Sequence, residues 1–415
     1  MNTFAWVFVT ALLASSVLQV WLTMRNMNHV RKRRGRVPEA FRESVSLQDH
    51  QKAADYTVAK SVFGMIELGY GVALILVWTL GGGLNLLDEL WRSATLGPLA
   101  TGVGVVVSAF LLMGILDIPF SAYDTFSLEA RFGFNRTTIS TFISDHFLHG
   151  LVVAALGAPL VWVILLLMQD SGSLWWLYAW CVWMAFTLFM MWAYPVLIAP
   201  LFNRFKPLED DVLRKRIQVL LEKCGFTSKG IFVMNGSRRS GHGNAYFTGL
   251  GNNKRIIFFD TLLEGLETSE IEAVLAHELG HFRLKHIQKR LLSTAALSLA
   301  GLYLLAWLMN QVWFYHGLGV SQSSTYMGLI LFLLVLPTFG VFLQPLFSAL
   351  SRRHEFEADA YAAEQADPAD LIRALVKLYK KNANTLTPDP LYSAFHDSHP
   401  PAPVRVAHLS AKSGT

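Results

Sequence analysis

The chain has 415 residues, 53% of them hydrophobic and only 16% charged, with a formal net charge of +5. Soluble domains carry roughly 25% charged residues, so this composition excludes an ordinary water-soluble protein and points to the bilayer. The positive excess sits largely in one loop beside a predicted membrane span and lacks interleaved aromatic residues. That pattern argues against a nucleic-acid partner.

Seven stretches are long and apolar enough to cross about 30 Å of hydrocarbon. They lie near 3–24, 58–82, 98–119, 149–168, 174–197, 292–314 and 325–349. The first begins without basic residues and is followed by Arg25 and by Arg31, Lys32, Arg33 and Arg34. It therefore reads as a retained anchor with its start outside, although Ala14-Ser15-Ser16 is small enough to be a cleavage site. The basic connection 25–57, which also holds Arg36, Arg42 and Lys52, should be cytoplasmic. Alternation then puts 120–148, 198–291 and the tail from 350 on the cytoplasmic side. The loops 83–97, 169–173 and 315–324 face the other way and hold only Arg92 among Lys and Arg. Asp117, near the end of the third span, is the notable intramembrane charge. Cys181 and Cys224 lack metal-ligand spacing and read as free thiols.

Between the fifth and sixth spans the pattern becomes that of a folded polar domain. Leu213–Cys224 predicts a helix closed by Gly225, and Ile231–Met234 a short strand. Ala245–Thr248 and Arg255–Phe259 flank Gly249–Asn253 as a hairpin, with Asp260 ending its second strand. One strand of this pair could accept an extended peptide along its edge. Asn244 and Ala245 open that edge and are candidate substrate-binding residues, though Asn244 equally suits a turn.

His277-Glu278-Leu279-Gly280-His281 follows, within the helical pattern IEAVLAHELGHFRL. Four residues make slightly more than one turn, so His277 and His281 project from one face and can share a metal ion. Glu278 lies beside them, placed to act as a base toward a metal-activated water. Ser269 with Glu272 predicts a capping box at the start of this helix.

A catalytic zinc needs a third protein ligand and one open position. Candidates occur in Arg353-His354-Glu355-Phe356-Glu357-Ala358-Asp359. Glu355 and Asp359 share a helix face, whereas Glu357 points nearly opposite. One of the first two could bind metal while the other orients a histidine ligand. Spacing does not decide between them.

These motifs together resemble the CAAX prenyl endopeptidase family, the a-factor-converting membrane zinc proteases. Glu129–Asn135 resembles its E-x-x-x-G-F-N loop, and Tyr194–Asn203 its Y-P-x-x-I-A-P-L-F stretch. Arg239–Phe247 resembles R-S-x-H-x-N-A-Y-F, and Ser398–Pro401 with Arg405 its C-terminal S-H-P-P segment. The resemblance implies one Zn2+ per chain held by His277, His281 and Glu355, with Glu278 as base and Asp359 behind the ligands. It places His399 at the active site, where its proton would stabilise the oxyanion, and Arg405 in the same cluster. His242, His286, His354 and His396 are expected to be surface or packing residues, His242 being the least safe exclusion.

The expected fold is a mainly α membrane protein, with about seven transmembrane helices around an intramembrane chamber. A split cytoplasmic zinc-metalloprotease domain would contain a small β-hairpin or sheet. Residues 1–204 would form the N-terminal membrane region, 205–291 the protease core, 292–349 two further spans and 350–415 the part bearing the third ligand. The expected activity is zinc-dependent hydrolysis of a peptide or protein substrate, possibly a prenylated C-terminal peptide, at the bilayer. The membrane would be the bacterial inner membrane or the endoplasmic reticulum. The alternatives are a quality-control protease for unprenylated membrane proteins and, from another class, a scaffold or transporter with structural zinc.

Overall fold

The computed structural model describes residues 1–248 and 254–413. Helices α1 (Thr3–Arg33), α2 (Leu47–Trp78), α3 (Gly83–Ser93), α4 (Pro98–Tyr123), α5 (Ile139–Asp170), α6 (Trp175–Ala193) and α7 (Ala199–Phe202) form the first part. Next come α8 (Asp211–Lys223), α9 (Asp260–Leu263) and α10 (Thr268–Arg283), packed with β1 (Phe205–Pro207), β2 (Ile231–Met234), β3 (Ala245–Thr248) and β4 (Arg255–Phe259). Helices α11 (His286–Leu308), α12 (Val312–Gly317) and α13 (Thr325–Gly340) follow. The chain ends in α14 (Gln344–Gln365), α15 (Pro368–Lys381), α16 (Pro390–His396) and α17 (Ala402–Ser413). Among the described residues seven helices are long and apolar enough to span a bilayer.

Most spanning helices overrun the apolar stretches that predict them, because polar caps lie well beyond the hydrocarbon. Helix α2 starts where the Ser46 side chain accepts from Asp49 N, and α5 where Thr138 accepts from Thr141 N. The sixth span begins at His286 and ends at Leu308, earlier than expected at both ends. The segment 83–97, expected to be a loop, contains α3. Its Leu84 and Leu87 are buried in the membrane core with Phe8, Val105, Leu165 and Ile330.

Two spans widen into π-type turns at Asp124–Glu129 and Tyr194–Ile198. Pro195 has no N–H to donate, so the usual i to i−4 ladder cannot close through it. The second turn falls within the Tyr194–Asn203 segment, and the first ends at Glu129, where the Glu129–Asn135 segment begins.

The sheet has order β1-β2-β4-β3, with β2 and β4 parallel and both edge strands antiparallel to their neighbours. The hairpin pairing appears as predicted, Ala245 opposite Phe258; its turn, 249–253, lies outside the described residues. Strand β1 was missed. Pro207 cannot donate to a ladder and is tolerated only because β1 lies at the edge. Ile256 and Phe258 pack with Ile217, Ile271, Leu275, Leu371 and Leu409 in one core. That core unites residues before the sixth span with residues after the seventh.

The expected capping box is displaced. Helix α10 is capped by Glu267, whose side chain and that of Glu270 satisfy each other's backbone N–H. Glu270 is fully buried and also accepts from Lys377 at 2.8 Å. Ser269 instead donates to Asp370, and Glu272 faces Arg216.

Helix α10 runs into the sixth span after a single left-handed residue, Lys285 at φ 59°. Helix α13 runs through a short 3-10 turn, Val341–Leu343, into α14. The two helices with the metal-ligand candidates are thus direct extensions of membrane helices. They approach closely at Gly280, where an added Cβ would lie 3.0 Å from Cα of Ala358. Beside them a cavity of about 610 Å³ lies between α1, α2 and the C-terminal segment, with Lys60 and His399 in its wall.

Candidate metal centre

One turn of α10 presents His277 and His281 toward Glu355 on α14. Their Nε2 atoms are 3.2 Å apart. Glu355 Oε2 lies 3.4 Å from His277 Nε2, and Oε1 lies 3.2 Å from His281 Nε2. Tetrahedral zinc with Zn–N near 2.0–2.1 Å separates its ligand atoms by about 3.3–3.4 Å. The triangle therefore has the size that one zinc ion requires. Oε2 of Glu355 is buried, and among the described residues no N–H or O–H is aligned to donate to it. A buried, unsatisfied carboxylate oxygen beside two imidazole lone pairs fits a cation.

The surrounding groups orient these three. His277 Nδ1 is 2.8 Å from Oδ1 of Asp359, so its proton points there and Nε2 is left bare. Arg405, buried at 7% exposure, grips both oxygens of Asp359, one through Nε at 2.9 Å and the other through Nη2 at 2.5 Å. Burial and the Arg405 charge lower the His277 pKa, but the carboxylates of Asp359 and Glu355 beside its two ring nitrogens outweigh them and raise it to about 9; a cation taking Nε2 would displace the proton from that nitrogen and leave the one held by Asp359. Asp359 sits one helical turn beyond Glu355, whereas Glu357 turns away to Arg353 and His286.

Glu278 is half-buried next to His277 and forms no hydrogen bond or ion pair among the described residues, so its carboxylate is free to accept a proton. His399 reaches the cluster from the C-terminal segment, with Nδ1 2.8 Å from Oε2 of Glu355. Asn244 and Ala245 lie at the start of β3 and make no hydrogen bond to this cluster among the described residues. Asn244 Oδ1 accepts from Ala245 N at 2.8 Å, and its carbonyl accepts from Phe259 N at 3.0 Å. Since β4 is already paired with β2, only β3 of the hairpin offers a free edge.

His286, expected to be a surface or packing residue, is buried, and its Nδ1 is 3.0 Å from His281 Nδ1. His354 stacks on it at 4.1 Å. His242 stacks on Phe134 at 4.4 Å and lies 3.4 Å from Glu129. Asn382 was missed altogether. Its Oδ1 accepts from Gly243 N at 3.0 Å, bracing the loop before β3. A lone Asn in a tail helix end carries no motif that would have flagged it.

The motif stretches also converge. Arg239 pairs with Asp145 at 2.6 Å and donates to Asn203 at 3.0 Å, while Asn135 bridges to Ser240.

The chain is similar to known proteins over nearly its whole length. The family model "CAAX prenyl protease N-terminal, five membrane helices" matches residues 26–204, and that of peptidase family M48 matches 207–413. The chain is 35% identical over 400 residues to a CAAX prenyl protease 1 homolog of Arabidopsis thaliana, covering 91% of each chain. It is 32% identical over 405 residues to CAAX prenyl protease 1 of Saccharomyces cerevisiae, covering 90% of this chain and 88% of that one. The crystal structure of S. mikatae Ste24p superposes with a TM-score of 0.91 at 30% identity, over 99% of both chains.

Proposed function

The chain belongs to the CAAX prenyl protease family within the M48 peptidases and is a multi-pass membrane zinc metalloendopeptidase; from that premise we propose that it cleaves prenylated C-terminal peptides at the His277–His281–Glu355 centre. The observation that carries this reading is the triangle of three ligand atoms at zinc spacing, beside a free Glu278 and a cavity reaching the membrane helices.

His277, His281 and Glu355 would hold the zinc, Asp359 fixes the ring of His277, and Arg405 fixes Asp359. Zinc, when bound, supplies a Lewis acid that brings the pKa of a water toward about 7 and polarises the scissile carbonyl. Glu278 takes the proton of the attacking water and returns it to the leaving amine. His399 donates to the carbonyl oxygen as negative charge builds on it.

The peptide adds to the free edge of β3. Because Asn244 carbonyl bonds inward to Phe259, the ladder alternates and turns the N–H and C=O of Ala245 and Phe247 outward. The Asn244 side chain now occupies Ala245 N–H and must swing aside, which frees its amide to hold the peptide.

The site faces the cytoplasm. Arg25 pairs with Asp389 and Lys380 with Asp49, so the basic connection and the tail share one side of the bilayer. A cysteine replacing the exposed Glu222, in a chain without Cys181 and Cys224, should react with impermeant thiol reagents only after that face is opened. Labelling in intact cells would overturn the orientation.

The substrate is tested on purified protein with paired prenylated and unprenylated peptides, with and without a zinc chelator. Chelator-sensitive cleavage favouring the prenylated peptide is expected. Equal cleavage of both would replace this reading with that of a general membrane-protein protease.

A further inference from the structure

We propose that His286 is a positioning residue of the metal centre: it accepts the Nδ1 proton of His281 and hands the bond on to Glu357, fixing the tautomer that presents His281 Nε2 to zinc. This rests on His281 being a zinc ligand, as proposed above.

Proton counting carries the argument. His281 Nε2 faces His277 Nε2 and Glu355 Oε1, each at 3.2 Å, so a ligating His281 must be bare at Nε2. A neutral imidazole then carries its proton on Nδ1. That atom is 3.0 Å from Nδ1 of His286, a separation at which two ring nitrogens share one proton. Nδ1 of His286 must therefore be bare and its own proton must sit on Nε2. There it meets Oε2 of Glu357 at 3.0 Å, a pure acceptor. Every other assignment sets two protons or two lone pairs against each other. The relay thus does for His281 what Asp359 does for His277, through one extra ring.

The backbone builds this contact. In an unbroken helix, residues five apart point about 140° away from each other. Lys285, in the left-handed region at φ 59°, breaks the helix between α10 and α11 and turns His286 back toward His281. His354 lies flat on the His286 ring, with planes 12° apart, and holds its tilt. Arg353 Nε donates to Glu357 at 3.0 Å and Lys289 lies 3.9 Å away, so the far end of the relay stays anionic.

His286, His354 and Glu357 also bring donor atoms within 4.8 Å of one another, the size of a second metal cluster. The stacking opposes that use, since parallel imidazoles aim their in-plane lone pairs in separate planes. Arg353 and Lys289 already neutralise Glu357 and repel a further cation.

The test is zinc affinity of the purified full-length protein, measured by competition with a chelator, alongside zinc content and melting temperature. Removing an outer partner of a metal-bound histidine typically weakens metal binding by about 10–100-fold. His286→Leu should show that loss, and Glu357→Leu a loss in the same direction. His286→Gln should recover most of it, because one amide can accept from His281 and donate to Glu357. Wild-type affinity in a folded His286→Leu, or in Glu357→Leu if the former does not fold, would overturn the relay. So would a second bound zinc that is lost in His354→Ala. Zinc retained by His281→Ala would instead overturn the ligand assignment itself, so the two failures are distinct.

Discussion

His399 Nδ1 lies 2.8 Å from Oε2 of Glu355, so a residue of the C-terminal tail touches the carboxylate that closes the metal triangle. The contact is not aligned as a hydrogen bond, and the His399 side chain remains 64% exposed on the cavity side. A group held beside the centre but left open to the cavity suits a donor that engages only when the substrate's oxyanion forms. His399→Ala should therefore keep its zinc and lose roughly 10²–10³ in kcat, the usual cost of one such donor. The loss should appear equally in kcat/KM. A change confined to KM, or loss of zinc, would assign His399 to substrate binding or to the metal shell.

Glu278→Gln should bind zinc as tightly as the wild type and lose nearly all hydrolysis. The substitution preserves shape and removes only the proton acceptor, and no hydrogen bond or ion pair of Glu278 is lost among the described residues. Glu355→Ala should lower zinc content, whereas Glu357→Ala should retain the ion, if more weakly. Metal analysis of the three variants, with turnover on one peptide, checks the whole assignment. Near wild-type turnover in zinc-loaded Glu278→Gln would sink the proposed base.

Gly280→Ala tests how the two metal-bearing helices are spaced. In an isolated helix the change favours folding by about 1 kcal/mol. Here the new methyl would lie 3.0 Å from Cα and 3.1 Å from O of Ala358, both backbone atoms that cannot rotate away. Overpacking of this kind costs about 1–3 kcal/mol, so the net effect should be a lower melting temperature. The spreading of α10 from α14 should also weaken zinc binding. An equal or higher melting temperature with unchanged zinc affinity would contradict the close approach.

Asp389 joins the tail to the first membrane helix and caps α16. It pairs with Arg25 at 2.8 Å, accepts from Leu391 N and Tyr392 N, and is 2% exposed. Burial raises its pKa, but Arg25 and the two N–H groups prevail and hold it below the usual carboxylate range. A depressed folded-state pKa adds stability that is complete above the unfolded value, near about 3.9, and vanishes as pH falls through the folded value. Asp389→Asn should therefore lower the melting temperature at pH 7, and the gap should shrink under acid conditions below about pH 4. A constant gap across that range would show that shape, not charge, links the two segments.

Much of this architecture follows from local pattern. The apolar runs determine the seven spans, because a backbone in hydrocarbon must satisfy itself as helix. The four-residue spacing of His277 and His281 determines that they share a face, and alternation around 249–253 determines the hairpin. The helix ends were less legible: Glu270, paired with Glu267 in the capping box and buried against Lys377 of a distant helix, holds the role expected of Glu272. Strand β1 was hidden by Pro207, which is admissible only at an edge that the sequence does not announce.

At the metal centre the sequence by itself determined the residue types and the face of α10, and with Glu355 and Asp359 it offered two acids on one helix without ranking them. Tertiary structure decided the rest. Asp359 lies beside His277 Nδ1 and Glu355 beside both Nε2 atoms only because Gly280 lets α14 settle against α10. His286, dismissed from sequence, reaches His281 only because Lys285 leaves the right-handed helix. Periodicity reports which side chains share a face of one element. Which faces then meet, at what distance and with which proton between them, is set by packing between helices that the chain separates by whole membrane spans.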